Sequence, residues 1–179
     1  MNTEVCSVYL LDPASNRYIL MATEGLYKDS VSKVSLAYSE GLVGLVGSRE
    51  EPINLEDAPS HPRYRYFPET GEERFRSFLG VPIIHHRRVL GVLVVQQRES
   101  SRCFDEGEEA FLVTVSAQLA GVIAHSEATG AISGLSLTGE ETQDVSFNGV
   151  SGAPGVAIGT GVVVYPAADL DLVPEKPTE

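Results

Sequence analysis

Two long apolar runs joined by four polar residues constrain the fold of this chain more than any other feature. Residues 78–84 (FLGVPII) and 89–96 (VLGVLVVQ) flank the segment His85-His86-Arg87-Arg88. Apolar runs of this length on either side of a short polar turn predict a β-hairpin. Because nearly every position is apolar, rather than every second one, we expect both faces of this hairpin to be covered.

Shorter patterns place the other elements around this hairpin. Strands are predicted over residues 6–11, 17–22, 33–36 and 52–55, and a short, closely packed helix over residues 41–47. Asp105 and Glu108 form a capping pattern that opens a long helix ending near Glu127. The apolar residues of this helix recur at helical spacing on one predicted face: Phe111, Leu112, Val115, Leu119, Val122 and Ile123. This order of elements predicts an α+β domain, with an antiparallel sheet flanked by helices.

The last third of the chain changes character. Residues 129–146 are rich in glycine, serine and acids, and predict a linker after a domain that spans residues 1–128. Residues 147–179 begin with FNGVSGAPGVAIGTG, an apolar pattern spaced by glycines, and continue as a strand over residues 162–165. A lone strand is not stable in water. This orphan strand segment therefore either packs on the preceding domain or begins a second, incomplete one.

Charge and composition exclude several classes of function. The net charge is −12, of which residues 103–179 carry −11, with 12 acids and Lys176 as the one base. A chain without clustered bases is a poor nucleic-acid binder. No apolar run reaches the ~18 residues that a membrane-spanning helix needs. Cys6 and Cys103 stand isolated in the sequence, which fits the reducing cytoplasm and argues against a disulfide framework.

Residues 56–76 are the most suggestive stretch for binding. Arginines and tyrosines crowd this long connection, at Arg63, Tyr64, Arg65, Tyr66, Arg74 and Arg76. Guanidinium groups pair with carboxylates or phosphates, so a metabolite that carries a carboxylate is a candidate ligand. The alternative is that these arginines pair with acids of the same connection, at Asp57, Glu69, Glu72 and Glu73.

No motif in the sequence predicts a catalytic or metal site. The pair His85-His86 lies at the predicted hairpin turn, where exposure to solvent is the simplest interpretation. The segment GLVGLVG at residues 41–47 lacks the lysine of a phosphate-binding loop. Its glycines are explained more simply by close packing.

The chain resembles a GAF domain over about residues 4–128. The resemblance is carried by EGLVG at residues 40–44, by the hairpin GVPI…VLGVL and by the last helix, in this order. It implies a sensory module that binds a small molecule between the sheet and the region after the third strand. The ligand-binding candidates are then Asn54, His61, Arg63, Tyr64, Tyr66 and Arg76. The expected pocket wall consists of Leu42, Val43, Val46 and Phe78. GAF domains usually begin with a helix, whereas the first strand here starts almost at Met1.

The tail resembles the start of enzyme I-type phosphoenolpyruvate–protein phosphotransferases. Gly149, the run Ala153-Pro154-Gly155, Ala157 and Gly159 match that family's opening pattern. A GAF domain in front of it is similar to nitrogen-related enzyme I. That resemblance implies phosphoryl transfer from phosphoenolpyruvate, with magnesium, to a histidine phosphocarrier protein. No histidine follows His125, so this chain is expected to be inactive by itself. It is instead expected to be a cytoplasmic, homodimeric sensor of glutamine or 2-oxoglutarate.

Two other interpretations stay open at this point. The chain could be a free-standing GAF-type module for ligand binding or dimerisation, with the tail packed on its own sheet. It could also be an enzyme of the free methionine sulfoxide reductase type, which is built on the GAF fold. The second alternative needs reactive cysteines near the pocket, and Cys6 and Cys103 are the two cysteines of the chain.

Overall fold

A computed structural model describes residues 3–98, 103–130, 156–158 and 162–164 of the chain. Six strands and two helices make up the first part. The strands are β1 (Val5–Asp12), β2 (Arg17–Glu24), β3 (Ser35–Ala37), β4 (Ile53–Leu55), β5 (Ser77–His85) and β6 (Arg88–Gln97). The helices are α1 (Gly41–Arg49) and α2 (Glu106–Ala128). The predicted α+β class and the predicted elements of this part are confirmed, with boundaries shifted by at most two residues.

The six strands form one antiparallel sheet in the order β3-β2-β1-β6-β5-β4. The predicted hairpin is β5 and β6, which pair along their whole length from Ser77 opposite Gln97 to His85 opposite Arg88. Strand β1 lies beside β6, so the first and last strands in sequence meet at the centre of the sheet. The two halves of the sheet therefore join through contacts between residues that are far apart in sequence.

Both faces of the central strands are buried, as the continuous apolar runs predicted. Tyr9, Val92 and Val94 lie on the face that packs against α1. Leu93 and Val81 alternate with them, pair with each other across the strands and are fully buried on the opposite face. The hairpin is thus a core element with cover on each side.

The β5–β6 turn adopts an unusual backbone for its residue types. His86 and Arg87 have φ angles of 47° and 65°. Such left-handed pairs match the twist of a two-residue hairpin, although asparagine and glycine are the common residues there. His86, Arg87 and Arg88 are exposed and His85 is half-buried, and the two imidazoles stack with their centroids 4.0 Å apart.

Helix α1 packs so closely on its neighbours that two of its positions have no space for a side chain. A Cβ atom on Gly44 would lie 2.6 Å from the carbonyl carbon of Ser39. One on Gly47 would lie 1.8 Å from the hydroxyl oxygen of Tyr18. The close packing predicted for this glycine-rich helix is confirmed, and residues 41–47 are all buried.

Helix α2 begins with the predicted capping box. The backbone N–H of Glu108 donates to Asp105 Oδ1 at 2.8 Å, and the N–H of Asp105 donates to Glu108 Oε2 at 3.0 Å. The predicted apolar face is only partly correct, because the buried stripe is Leu112, Ser116, Ala120 and Ile123. Phe111 and Val122 are instead 58% and 44% exposed. The small residues Ser116 and Ala120 lie in the middle of the buried stripe. The buried face of the helix is therefore rotated away from Phe111 and Val122.

Among the described helices, α2 is the one whose length and composition would allow it to cross a membrane. This is weak evidence, since core helices of water-soluble proteins meet the same criteria. Its first turn carries the three acids Glu106, Glu108 and Glu109.

The connection between β4 and β5, residues 56–76, has more structure than the sequence predicted. It contains two short 3₁₀ turns, Ala58–Ser60 and Glu72–Arg74. Two backbone hydrogen bonds fix its last residue, since Ala58 N–H donates to Arg76 O at 2.7 Å and Arg76 N–H donates to Gln97 O at 2.8 Å. We call this segment the roof connection.

The chain divides into two compact units, and the second contains a separate two-stranded ribbon. Strands β7 (Val156–Ile158) and β8 (Val162–Val164) pair antiparallel, with Val156 opposite Val164. Strand β8 lies within the strand predicted over residues 162–165, and β7 lies in the glycine-spaced apolar pattern that precedes it. The predicted linker beyond residue 130, and the rest of residues 147–179, lie outside the described residues.

Candidate functional site

A small cavity lies between one face of the sheet, the first turn of α1 and the roof connection. Its volume is about 30 Å³, which is enough for one or two water molecules. The twelve lining residues are Tyr9, Leu36, Gly41, Leu42, Val43, Tyr64, Arg65, Phe67, Glu72, Phe78, Val94 and Gln96. The cavity is therefore a place where a polar group could be enclosed.

Strand alternation supplies the floor of the cavity. Tyr9 of β1, Phe78 of β5 and the pair Val94 and Gln96 of β6 point to the same face of the sheet. Gln96 is opposite Phe78 in the register, so one polar side chain stands within an apolar floor. The floor is rigid because these residues lie in the central strands.

The roof connection is held by contacts to parts of the chain far away in sequence. Arg76 Nε lies 2.9 Å from Asp57 Oδ1, which closes the connection on itself. Arg65 Nε lies 3.4 Å from Glu40 Oε1, and the Arg63 guanidinium donates to the backbone carbonyl of Ser39. Tyr27 N–H donates to Thr70 O at 3.1 Å. The side-chain contacts of Arg63 and Arg65 are exposed and contribute modestly, so the residues around them are less firmly fixed than the floor. Thr70, in contrast, is buried.

Glu72 is the one acid among the residues that line the cavity. Its side chain is only 9% exposed, and its Oε1 atom has no hydrogen-bond partner. Burial raises the pKa of the Glu72 carboxyl to about 7, and the neighbouring Glu73 charge adds to the increase. Hydrogen bonds from the Phe67 backbone and the Gln96 side chain lower it in part. Glu72 is thus poised to change its charge near neutral pH.

Two tyrosines surround this carboxyl. The Tyr64 hydroxyl is buried and has no hydrogen-bond partner. Burial raises the Tyr64 pKa to about 12, with smaller contributions from Glu72 and Glu73. Burial also raises the pKa of Tyr9, again with a contribution from Glu72. Both phenols therefore stay protonated at neutral pH and can donate a hydrogen bond.

The structure brings together part of the predicted set. Tyr64, Leu42, Val43 and Phe78 all line the cavity. Val46 belongs to the same buried core cluster but does not line the cavity. The cavity lies in the region after the third strand, where the sequence predicts a pocket, and the role of these residues in ligand binding stays a prediction.

The other ligand candidates lie away from the cavity. Asn54 Nδ2 donates to Phe104 O at 2.8 Å and to Glu109 Oε2 at 3.3 Å, and its Oδ1 accepts from Phe104 N–H at 3.2 Å. His61 Nδ1 accepts a hydrogen bond from the Arg63 backbone at 3.1 Å. Tyr66 is 47% exposed. Asn54 therefore ties β4 to the start of α2, while His61 and Arg63 stabilise the roof connection. Their role as ligand contacts stays a prediction.

The four arginines of the roof connection do not converge on one point. Arg63, Arg65 and Arg76 have the partners described above, and Arg74 lies over the Tyr27 ring at 5.7 Å. One of the expected pairs within the connection forms, between Arg76 and Asp57, whereas Arg65 pairs with Glu40 outside it. The carboxylate-binding cluster predicted from residue types is not assembled in this conformation.

Sequence reasoning missed the polar residues at the centre of the cavity. The residue types suggest Glu72 only as a partner for arginines, and they do not indicate Tyr9 or Gln96 as site residues. The strands carry a weak signal, because Tyr9 lies within one apolar run and Gln96 ends another, both on the face that α1 covers. For Glu72 no local pattern distinguishes it from its exposed neighbour Glu73.

No cysteine, serine, threonine, lysine or histidine lines the cavity, and its lining holds one acid. Within the described residues, no group of three or more His, Cys, Asp or Glu side chains could hold a metal ion. Cys6 is half-buried, with its thiol pKa raised by burial, and Cys103 is exposed. Neither cysteine lines the cavity, which removes the basis for the reductase alternative. The lining residues offer hydrogen-bond donors and acceptors that could bind a small polar group.

Comparisons with known proteins agree with this geometry. The family model of the GAF domain matches residues 1–123. The GAF domain of a phosphoenolpyruvate-protein phosphotransferase (ptsP) from Coxiella burnetii is 52% identical, with a TM-score of 0.70, and the match covers 73% of this chain and 77% of that one. The GAF domain of the Acinetobacter phosphoenolpyruvate-protein phosphotransferase is 53% identical, with a TM-score of 0.65, over 73% of this chain and 76% of that one.

A curated full-length relative extends the match into the tail. The "Phosphoenolpyruvate-dependent phosphotransferase system" protein of Salmonella typhimurium is 50% identical over 185 residues. The alignment covers 98% of this chain and 24% of that protein. The chain thus spans about a quarter of the length of the curated relatives it matches.

Proposed function

Because this chain belongs to the GAF domain family, and within it to the GAF domains of phosphoenolpyruvate–protein phosphotransferases, we propose that it is the N-terminal sensory region of such an enzyme. In this role it binds a small metabolite and thereby tunes phosphoryl transfer from phosphoenolpyruvate to a histidine phosphocarrier protein. The response belongs to the nitrogen phosphotransferase system, in the cytoplasm.

One observation carries the binding part of this proposal. Two buried polar atoms without partners, Glu72 Oε1 and Tyr64 Oη, belong to residues that line the same cavity. A buried polar atom that lacks a hydrogen bond costs about 1–3 kcal/mol. Two such atoms at one cavity are explained if a ligand, or water in its place, supplies the missing hydrogen bonds.

A metabolite needs more space than the cavity offers in this conformation, so the roof connection must move when it binds. Around residues 63–65, its side-chain tethers to Ser39 and Glu40 lie at the surface. A ligand that binds the open conformation more tightly shifts the population toward it. This difference in affinity is what a sensor needs to control a distant activity.

Glutamine and 2-oxoglutarate are the proposed ligands. Tyr64 is the leading contact among the candidates, with Leu42, Val43 and Phe78 as the wall. Asn54, His61, Arg63, Tyr66 and Arg76 would reach a ligand only after the roof connection rearranges.

The phosphoryl chemistry is assigned to parts of the enzyme outside this chain. The chain covers a quarter of its curated relatives and has no histidine after His125. We expect the chain alone to have no transferase activity. The magnesium site and the surface that binds the phosphocarrier protein are assigned to the remaining three quarters.

A thermal-shift screen of the 179-residue chain tests the sensor. Glutamine, 2-oxoglutarate and cyclic nucleotides are added at increasing concentration. A ligand at 100 times its dissociation constant stabilises the fold by ~2.7 kcal/mol. The shift should be reduced in Tyr64→Phe and retained in Tyr27→Phe, an exposed tyrosine that does not line the cavity. No shift with any compound would contradict ligand sensing.

A second candidate function, dimerisation, rests on the surface of α2. Phe111 and Val122 are exposed, and Val115 between them is half-buried. Val115 and Val122 follow Phe111 by four and eleven positions. On a helix with 3.6 residues per turn, all three therefore lie within about 40° of each other around the helix axis. These three residues form an apolar stripe that a second copy of the chain would cover.

A further inference from the structure

The charge of the cavity identifies the chemistry of the group it would hold. A carboxylate only accepts hydrogen bonds, and the Glu72 carboxylate has one oxygen without a donor. The guanidinium among the lining residues belongs to Arg65, which directs it to Glu40 while its Cβ and Cγ atoms lie near Gly41. The negative charge of ionised Glu72 is therefore not neutralised by a cation inside the cavity.

The arginines of the roof connection that do not line the cavity do not neutralise the Glu72 charge either. Arg76 pairs with Asp57, Arg63 donates to the Ser39 carbonyl, and Arg74 lies over Tyr27 and donates to the Gly25 carbonyl. Glu73, the neighbouring acid, adds further negative charge near Glu72. An anionic ligand group placed beside Glu72 would meet repulsion, whereas a cationic group would be attracted.

We propose that ionised Glu72 is the specificity-determining residue of the cavity. It selects ligands that present a protonated amine and rejects ligands of the same shape that present a carbonyl or carboxylate oxygen there. The Tyr64 hydroxyl takes the second polar position, because it can donate to an oxygen of the same ligand. This inference rests on the proposed metabolite-binding function. It distinguishes between the ligand classes that the proposed function leaves open.

Glutamate and 2-oxoglutarate provide a matched pair of probes. They share the five-carbon chain and both carboxylates. Glutamate carries an ammonium group at the carbon where 2-oxoglutarate carries a ketone. Titration calorimetry at pH 8, where Glu72 is mainly ionised, should show the 179-residue chain binding glutamate at least about tenfold more tightly, because hydrogen bonds to charged groups are the strong ones. Glu72→Gln should reduce this preference to less than about threefold.

Two control variants separate selectivity from changes in folding. Glu73→Gln removes the same charge one residue away, on an exposed side chain, and should keep the preference. Tyr64→Phe should weaken both probes to a similar extent and also keep the preference. Circular dichroism melts establish that each variant is folded before titration.

The possible outcomes distinguish this inference from the proposed function. Equal affinity for the two probes, a preference for 2-oxoglutarate, or an unchanged preference in Glu72→Gln would overturn the role of Glu72 while leaving metabolite binding intact. If glutamate, 2-oxoglutarate and glutamine all fail to bind the wild-type chain, the proposed function and this inference are both overturned.

Discussion

Single side chains decide the electrostatics of this domain, and Glu72 is the clearest case. Its carboxyl is buried beside Tyr64 and Tyr9, and its pKa is raised from 4.5 to about 7. A buried carboxyl with a raised pKa makes the native state hold a proton that the unfolded chain has already released. The same property that prepares the cavity for a cation therefore reduces the stability of the empty protein at neutral pH.

We expect this cost to appear as a pH dependence of stability. Between about pH 4.5 and pH 7 the native state binds more protons at Glu72 than the unfolded state, so the free energy of unfolding falls as pH rises. The contribution is present below pH 4.5 and lost above pH 7. Glu72→Gln should be more stable than wild type by roughly 1–3 kcal/mol at pH 8 and about equal at pH 4.5.

Urea unfolding at both pH values measures this difference. The matched variant Glu73→Gln, at an exposed position, should show a much smaller change with pH. If Glu72→Gln and wild type differ by the same amount at pH 4.5 and pH 8, the carboxyl is not buried with a raised pKa.

Gly47 and Tyr18 provide a second test at the scale of residues. Alanine has the higher helix propensity by about 1 kcal/mol. However, its Cβ atom would lie 1.8 Å from Tyr18 Oη and 2.7 Å from Cζ, and overpacking of this kind costs about 1–3 kcal/mol. Gly47→Ala should therefore destabilise the domain. In a Tyr18→Phe background the loss should be smaller by about 1 kcal/mol, because the hydroxyl oxygen is gone.

Chemical denaturation of the two single variants and the double variant measures this coupling. Tyr18→Phe alone should be close to neutral, because its buried hydroxyl has no hydrogen-bond partner. Strictly additive effects would contradict the direct contact.

At the scale of elements, Asn54 joins a strand at the sheet edge to the start of the longest helix. Its amide makes three hydrogen bonds, to both backbone groups of Phe104 and to the Glu109 side chain. Strand β4 has only three residues and pairs with β5 alone. The contact from Asn54 therefore fixes the position of β4 as well as that of α2.

Removal of this amide should loosen both elements. Asn54→Ala leaves the Phe104 N–H and C=O without their partner, and we expect a loss of about 1–3 kcal/mol in the free energy of unfolding. Amide hydrogen exchange should increase at the start of α2 more than in β1 and β6. Gln118→Ala, an amide-to-alanine change at an exposed position of α2, serves as the control and should change little.

How much the sequence predicts differs between elements and site. Strand and helix boundaries were predictable because apolar runs and the Asp105–Glu108 capping box are local signals. The buried stripe of α2 was not, because Phe111 and Leu112 look equivalent in sequence and only the neighbouring elements decide which is covered. The partners of the arginines in the roof connection could not be predicted for a similar reason. Ser39 and Glu40, for example, are more than 20 residues away in sequence from the arginines they contact.

At the scale of the whole molecule, the exposed stripe on α2 predicts the oligomeric state. Phe111→Glu should convert a dimer to a monomer in analytical ultracentrifugation, because a charge at the centre of an apolar interface is costly. Val113→Glu is the matched control, since Val113 is 40% exposed but lies on another side of the helix. A monomeric wild-type chain, or equal dissociation by both variants, would contradict a dimer formed through this stripe.

The division of the chain predicts where a protease acts. We expect limited proteolysis to cut within residues 130–146, where the composition predicts a linker, and to release a stable core of about residues 1–128. Mass spectrometry of the products identifies the cut. Resistance of this segment, together with protection of the tail from hydrogen exchange, would favour a tail that packs as part of the first domain.

The position of β1 at the centre of the sheet has a consequence for synthesis on the ribosome. Val5–Asp12 pairs with β2 early, but its other edge must wait for Arg88–Gln97, more than 80 residues later. At about 5–20 residues per second, that delay is of the order of 4–20 s. During this time the nascent chain carries an apolar strand with one open edge, which is a template for mispairing between polysomal neighbours. Rapid translation across residues 13–97 would shorten this exposure, so codon choice in that stretch should affect the soluble yield.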